Sequence, residues 1–230
     1  MNAKNPKPMK SLTTLTLLLF LHLPLAAEQA KLSLRTLSLL PVEMPELHAL
    51  AGNDLVPLSF SHIEPSKPAL ADRLEGGLPI YTGTTVPEDG SPPPHLVKLP
   101  GATRDVLLIA WMGEGNKPRF LAFPDDTATA GRKDWMVFNT TSKHIAMQIG
   151  ADSKPVAVKA GTQQGIRVDV PTNKGSAVTI AAMLEDSWKP FYTTYWAIYE
   201  DKRCLIVIIQ DGEKMTVRQI FEDIAKNPVP

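Results

Sequence analysis

Side chains that could do chemistry are present in this sequence, but they do not have the spacing of a known reactive motif. After residue 27 the histidines are His48, His62, His95 and His144. No two of them have the H-x-x-x-H separation that places two imidazoles on one metal ion. A G-x-S-x-G nucleophile elbow and a Walker-type phosphate loop are also missing. We therefore predict no catalytic residue, no metal site and no cofactor.

Two pairs of adjacent carboxylates are the best candidates for acid–base chemistry. They are Asp125-Asp126 and Glu185-Asp186. Glycosidases need two carboxyl groups that face each other across about 5–10 Å, whereas neighbours on a strand point to opposite faces. A carbohydrate-active hydrolase would have to draw its carboxylates from separate loops. We keep that activity as the alternative and interpret the two pairs as solvated loop charges.

Aromatic residues are concentrated late in the chain. Trp188, Tyr192 and Trp196 recur every four positions, so on a regular strand they share one face. If that face is exposed, the three rings form a platform for a ligand such as a sugar or a peptide, or for a partner. If it is buried, they fill the core, with polar ring atoms bonded at the rim. We favour the core and keep the platform as the candidate binding site.

The first residues predict export. Lys4, Lys7 and Lys10 precede an apolar stretch over residues 12–25, and Ala26-Ala27 supplies small residues for cleavage. This is the layout of a secretory signal peptide over residues 1–27, and the apolar stretch is short for a bilayer span. We expect a secreted or periplasmic protein with no membrane span after cleavage. An uncleaved anchor is the other interpretation.

Composition excludes several classes of partner. The 24 Lys and Arg balance the 24 Asp and Glu, so there is no basic field to attract nucleic acid or anionic lipid. Cys204 is the single cysteine, which rules out a disulfide within the chain. Because Cys204 lies in an apolar run, we interpret it as a buried small hydrophobe.

The elements that would hold these side chains are strands. Short apolar or alternating segments recur every 8–12 residues between Gly, Pro, Asn and Asp, which is typical of a β-sandwich or barrel. Residues 105–112 and 204–209 are apolar at nearly every position, which predicts central strands covered on both faces. Leucines at 32, 34, 37 and 39 predict either a strand with a bulge or two short strands, and residues 68–74 are compatible with one short helical turn. Residues 215–220 read as a strand, with a short terminal helix left open.

We therefore predict an all-β fold, a β-sandwich of immunoglobulin-like architecture with an N-terminal β segment packed on it. The segment covers residues 28–103 and includes a proline-rich loop at 83–94. The C-terminal sandwich covers residues 104–226. The segment has too little core of its own, so we expect it to cover the sandwich and fold with it as one cooperative unit.

Part of the chain resembles a known group of proteins. The pattern runs from Gly131 through Trp135-Met-Val-Phe-Asn139 to the strand at 145–149, then Lys159-Ala-Gly161, the aromatics 188–196 and residues 203–209. Over residues 131–220 it is similar to uncharacterised secreted bacterial β-sandwich proteins of unknown function. The resemblance implies an envelope or periplasmic setting and supplies no catalytic residues.

These observations favour a non-enzymatic secreted or periplasmic module that binds or scaffolds envelope components. The expected partner is a protein or a polysaccharide of the cell envelope. A third interpretation is an assembly subunit whose doubly apolar strands meet a partner.

Overall fold

The structure is a computed structural model that describes residues 31–87, 91–125, 134–168, 174–199 and 201–223. Within these residues the regular structure is almost entirely β, as predicted, with one 3₁₀ turn at Glu114–Asn116. The predicted signal peptide lies outside the described residues. The strands are β1 Lys31–Ser38, β2 Leu47–Ala51, β3 Asp54–Leu58, β4 Ala69–Asp72, β5 Leu78–Tyr81, β6 His95–Val97, β7 Asp105–Met112, β8 Pro118–Pro124, β9 Asp134–Asn139, β10 Ile145–Ile149, β11 Val156–Val158, β12 Gln163–Arg167, β13 Gly175–Leu184, β14 Ser187–Ala197, β15 Lys202–Asp211 and β16 Lys214–Asp223.

The strands form four sheets of four. Sheet I has the order β4-β1-β7-β8, and sheet II has the order β3-β2-β5-β6. Sheet III has the order β12-β9-β15-β16, and sheet IV has the order β11-β10-β13-β14. Most neighbours are antiparallel, but β1 runs parallel to β7 and β9 runs parallel to β15.

The second half of the chain repeats the topology of the first. Adding eight to each strand number converts sheet I into sheet III and sheet II into sheet IV, and the parallel pair β1–β7 becomes β9–β15. The repeat is about one hundred residues long, the ordinary size of a domain. The sequence pattern did not reveal it, because the two halves share an alternation of apolar positions and not the residues that occupy them.

Three hydrophobic clusters stack the sheets in the order II, I, III, IV. Sheets II and I enclose the first cluster, which includes Leu34, Ile80 and Leu108. Sheets III and IV enclose the second, which includes Val137, Ile180 and Ile206. The cluster between sheets I and III joins the two halves: Leu37, Leu39, Leu107, Ile109, Phe123, Met136, Phe138, Leu205, Val207, Ile209 and Ile220.

The two central strands have cover on both faces, as their composition predicts. In β7, Val106 faces the first cluster and Leu107 faces the joining cluster. In β15, Cys204 and its alternate neighbours face the second cluster, and Leu205 faces the joining cluster. Strand β7 therefore belongs to the sheet of the N-terminal half, because it pairs with β1.

Two local expectations change. Strand β1 contains no bulge, because its pairing with β7 is continuous. The leucines change from even-numbered to odd-numbered positions because Leu34 faces the first cluster and Leu37 faces the joining cluster on the other side of the strand. The expected helical turn at 68–74 is wrong: Ala69–Asp72 is a strand that pairs with β1, and its backbone bonds replace those of a helix. The strand at 215–220 is confirmed and extends to Asp223.

Candidate functional site

The late aromatic residues lie on the hairpin of β13 and β14. Its turn, Glu185-Asp186, has positive φ at both residues, the conformation of a tight hairpin turn. The pairing register shifts beside Phe191, because Ile180 pairs with Tyr192 while Ala181 pairs with Pro190. This one-residue bulge exchanges the two faces of β14 on either side of it.

The bulge separates the three residues of the predicted platform. Trp196 is buried in the second cluster, with its ring 5.5 Å from that of Trp135 and 5.7 Å from that of Tyr192. Trp188 pairs with Met183 on the opposite face of the sheet and is 43% exposed. The structure thus brings Tyr192 and Trp196 together inside the core and leaves Trp188 outside it.

The outer face of sheet IV is free of charged side chains. Among the described strands, alternation and the pairing register assign the positions that point away from the core. These positions are Ala146, Gln148, Ala157, Gly175, Ala177, Thr179, Ala181, Met183, Trp188, Pro190, Thr193, Tyr195 and Ala197. We call this set the outer face. Most of its side chains are small, and it carries no charge in a chain that is 21% charged overall.

Two aromatic rings project from the outer face. Tyr195 is 69% exposed, and its hydroxyl donates a hydrogen bond of 2.7 Å to the carbonyl oxygen of Gly175. A Cβ at Gly175 would overlap the Tyr195 ring, so the ring covers this glycine and is held against the sheet. Trp188 lies about six residues away along the hairpin, roughly 20 Å at the rise of a strand. Thr179 and Thr193 form a direct cross-strand pair between the two rings.

The sequence could have identified Tyr195 and Thr193 as outer residues. Both alternate with the inward positions 192, 194 and 196, so an inward assignment of Trp196 places them outside. The position of Trp188 could not be obtained in this way, because the bulge is set by packing and leaves no motif in the sequence.

The carboxylate pairs occupy different parts of the molecule. Glu185 and Asp186 are exposed in the hairpin turn, where Glu185 forms a surface ion pair of 3.3 Å with Lys189. The interpretation of Asp125 as a solvated charge is wrong, because Asp125 is buried beside two arginines; Asp126 lies outside the described residues. The described carboxylates of the two pairs therefore have different partners and do not line one cleft.

Asp125 belongs to a cluster of four charged side chains between sheets I and III, which we call the charge quartet. It consists of Arg35, Asp125, Arg203 and Glu222, each with a side chain no more than 7% exposed. Glu222 accepts hydrogen bonds from both arginines, and the bond from Arg203 Nε is 2.9 Å long. Asp125 is more distant, 3.4 Å from Arg35 and 3.9 Å from Arg203. Burial raises the pKa of Asp125, with the two arginines partly opposing this effect.

The charge quartet joins the two halves of the chain. Arg35 and Asp125 belong to the first half, and Arg203 and Glu222 to the second. Two guanidinium groups and two carboxyl groups share the cluster, so neither arginine is buried without an acidic partner. The arrangement fixes how one half sits on the other.

The histidines and the cysteine are dispersed. His95 is in edge contact with Phe120, and His144 Nδ1 accepts a 3.3 Å hydrogen bond from the amide of Ala160. His48 is buried and His62 exposed. Cys204 is buried, and desolvation raises the pKa of its thiol to about 12. The described residues contain no group of three or more His, Cys, Asp or Glu placed to hold a metal ion.

In the part of the chain that the structure describes, no helix has the length and apolar character needed to cross a bilayer. No protein-family model matches the sequence, and a search of curated proteins finds no match either.

Proposed function

We propose that the protein is a non-enzymatic secreted or periplasmic module that binds a neutral polysaccharide of the cell envelope through the outer face of sheet IV. The observation that carries the proposal is an uncharged sheet face of mostly small side chains on which Trp188 and Tyr195 are exposed. The proposed location of the protein, secreted or periplasmic, rests on the signal-peptide pattern and on the resemblance to secreted bacterial β-sandwich proteins. We further propose that each half has an immunoglobulin-like architecture, which the parallel pairing of β1 with β7 and of β9 with β15 supports.

The chemistry of the outer face suits a sugar chain. The apolar side of a pyranose ring stacks on an aromatic ring, and Tyr195 is held in place by its hydrogen bond to Gly175 before any ligand arrives. A preordered ring loses little conformational entropy on binding. The Thr179–Thr193 pair offers hydroxyl groups between the two rings. Because the face has no charge, it suits a neutral ligand better than an anionic one.

Affinity electrophoresis in gels that contain neutral soluble polysaccharides (dextran, galactomannan or a β-glucan) tests the proposal. At least one of these polymers should retard the protein, and Trp188→Ala or Tyr195→Ala should weaken binding about tenfold, or ~1.4 kcal/mol. Tyr199→Ala is the matched control, since Tyr199 is 42% exposed but lies beyond the end of β14. Retardation should persist in high salt, because no charge takes part.

Two results would count against the proposal. One is equal retardation of the Trp188→Ala, Tyr195→Ala and Tyr199→Ala variants. The other is a dimer in sedimentation that Trp188→Ala dissociates, which would make the outer face a contact between two copies of the chain.

A further inference from the structure

A groove opens on the N-terminal half, away from the outer face of sheet IV. Its volume is about 580 Å³, within the range of ligand sites. Its walls are β6, the edge strand of sheet II, and β8, the edge strand of sheet I, with Gly161 of the other half at its rim. It therefore lies where two sheet edges leave the side of a sandwich open.

Within the part of the chain that the structure describes, the backbone of β8 has hydrogen-bonding groups without a partner along this groove. Asp125 N donates to Asp105 O and Gly113 N donates to Lys117 O, so odd-numbered residues of β8 bond to β7. The even-numbered residues, at 118, 120, 122 and 124, consequently direct their backbone groups away from β7. Among the described residues no hydrogen bond is found for the amide of Phe120 or of Ala122.

Prolines limit this free edge to a short slot. Residues 118 and 124 are both proline and have no amide hydrogen. The available donors are therefore Phe120 and Ala122 alone, with a carbonyl acceptor beside each. Prolines at these places protect an edge from indefinite strand addition. They leave room for a short extended segment that makes about four backbone hydrogen bonds.

The walls of the slot are apolar in the middle and basic at the sides. Leu96 is 50% exposed, and His95 lies 5.2 Å from Phe120 in an edge-on contact. Lys98 and Arg119 are exposed at the rim, and none of the described residues that line the groove is Asp or Glu. The stem of Arg119 packs over Gly113, where an added Cβ would lie 2.8 Å from Arg119 Cγ. This packing fixes the stem of Arg119, which lines the groove at the start of β8.

We propose that this groove binds an extended segment of a partner protein that adds as a strand to β8, with a short apolar centre flanked by acidic residues. Backbone bonds to Phe120 and Ala122 supply affinity, and alternate side chains of the segment meet the apolar wall and the basic rim. Charge complementarity with Lys98 and Arg119 selects acidic flanks. The proposal does not depend on the polysaccharide site, which lies on another sheet.

Amide hydrogen exchange measured by NMR tests the backbone part directly. The probe is the capped peptide Glu-Val-Thr-Val-Glu, added at millimolar concentration to the purified protein. Exchange of the Phe120 and Ala122 amides should slow, whereas Leu121 should change little because its amide already bonds to Ile109. A peptide with N-methyl groups at alternate backbone positions should give no protection. If the peptide leaves Phe120 and Ala122 unprotected, strand addition at β8 is ruled out.

Substitutions test the charge part. Arg119→Glu should weaken peptide binding about fivefold, the upper value for an exposed ion pair, and should reverse the preference towards Lys-Val-Thr-Val-Lys. Arg104→Glu is the matched control, since Arg104 is exposed but does not line the groove. Ala122→Pro should abolish binding without removing a ladder bond, as prolines already occupy the same edge. Equal binding by the wild type and Arg119→Glu would overturn the assignment of acidic flanks.

Discussion

The charge quartet gives the sharpest test of how the two halves are held together. Glu222 is the shared acceptor of Arg35 and Arg203, and its side chain is 5% exposed. Glu222→Gln keeps the shape of the side chain and removes its charge. Two buried guanidinium groups then face a single carboxylate, Asp125, at 3.4 and 3.9 Å.

The expected cost follows from this geometry. Removing one partner of a buried ion pair costs roughly 3–5 kcal/mol, because the charge that stays behind remains desolvated. Since glutamine still accepts one hydrogen bond, we expect about 3 kcal/mol for Glu222→Gln. In a chain of this size that corresponds to a fall in Tm of about 6–12 °C. Urea unfolding followed by circular dichroism measures the free energy of unfolding. An unchanged m-value would show that the variant and the wild type expose the same amount of surface when they unfold.

Two further variants make the test specific. Glu185→Gln removes an exposed glutamate whose only described ion pair is on the surface, so its effect should stay within about 0.5 kcal/mol. Asp125→Asn should change stability at pH 7 by less than about 1 kcal/mol, because burial already disfavours the ionised form of Asp125. A loss at Glu222→Gln no larger than that at Glu185→Gln would refute the view that the quartet joins the halves.

The pH dependence has a definite sign. The folded-state pKa of Asp125 is raised above its unfolded value. The stabilising contribution of this group is therefore fully present below the unfolded pKa of about 3.9 and is lost as the pH rises through the folded-state pKa. Asp125→Asn should gain stability relative to the wild type as the pH increases from 3.5 to 7. A constant difference between the two proteins over that range would show that Asp125 does not titrate as its burial requires.

Three more predictions follow from the packing. Native Cys204 should resist alkylation at pH 8 and react only on unfolding, since its thiol is buried and has a pKa of about 12; rapid labelling by iodoacetamide in the native state would contradict this. Phe123→Ala should cost about 3–5 kcal/mol and lower the Tm of a single unfolding transition shared by both halves, because the Phe123 ring packs on Phe138 of the other half at 5.2 Å. Two separate transitions in calorimetry would show that the halves unfold independently. Gly77→Ala should destabilise the fold by at least about 1 kcal/mol, because Gly77 has φ +153° and an added Cβ would overlap the carbonyl oxygen of Val97. Gly52→Ala is the control and should cost less, because Gly52 has φ +73° but open space around it.

Local pattern determined much of this fold. The alternation of apolar residues predicted strands, and the continuous runs at 105–112 and 204–209 predicted central strands covered on both faces. Both features are local because the side chains of a strand alternate between its faces with a period of two. The prediction that Cys204 is buried rests on the same reasoning, and the structure confirms it.

Pairing between distant strands decided the rest. The charge quartet brings together Arg35 and Glu222, which are 187 positions apart, and no local spacing records such a contact. The duplicated topology is equally invisible, since hydrogen bonds between strands use the backbone that all residues share.

The late aromatic residues show both what a local pattern predicts and what it leaves to long-range packing. Their spacing of four predicted one shared face for Trp188, Tyr192 and Trp196, which holds only for a regular strand. A single extra residue at Phe191 reverses the faces, so that Trp188 is exposed and Trp196 is buried. The sequence by itself determined that these residues lie on a strand of a β-sheet protein. Only the tertiary structure decided which rings meet solvent, because a bulge forms where packing against the core favours it.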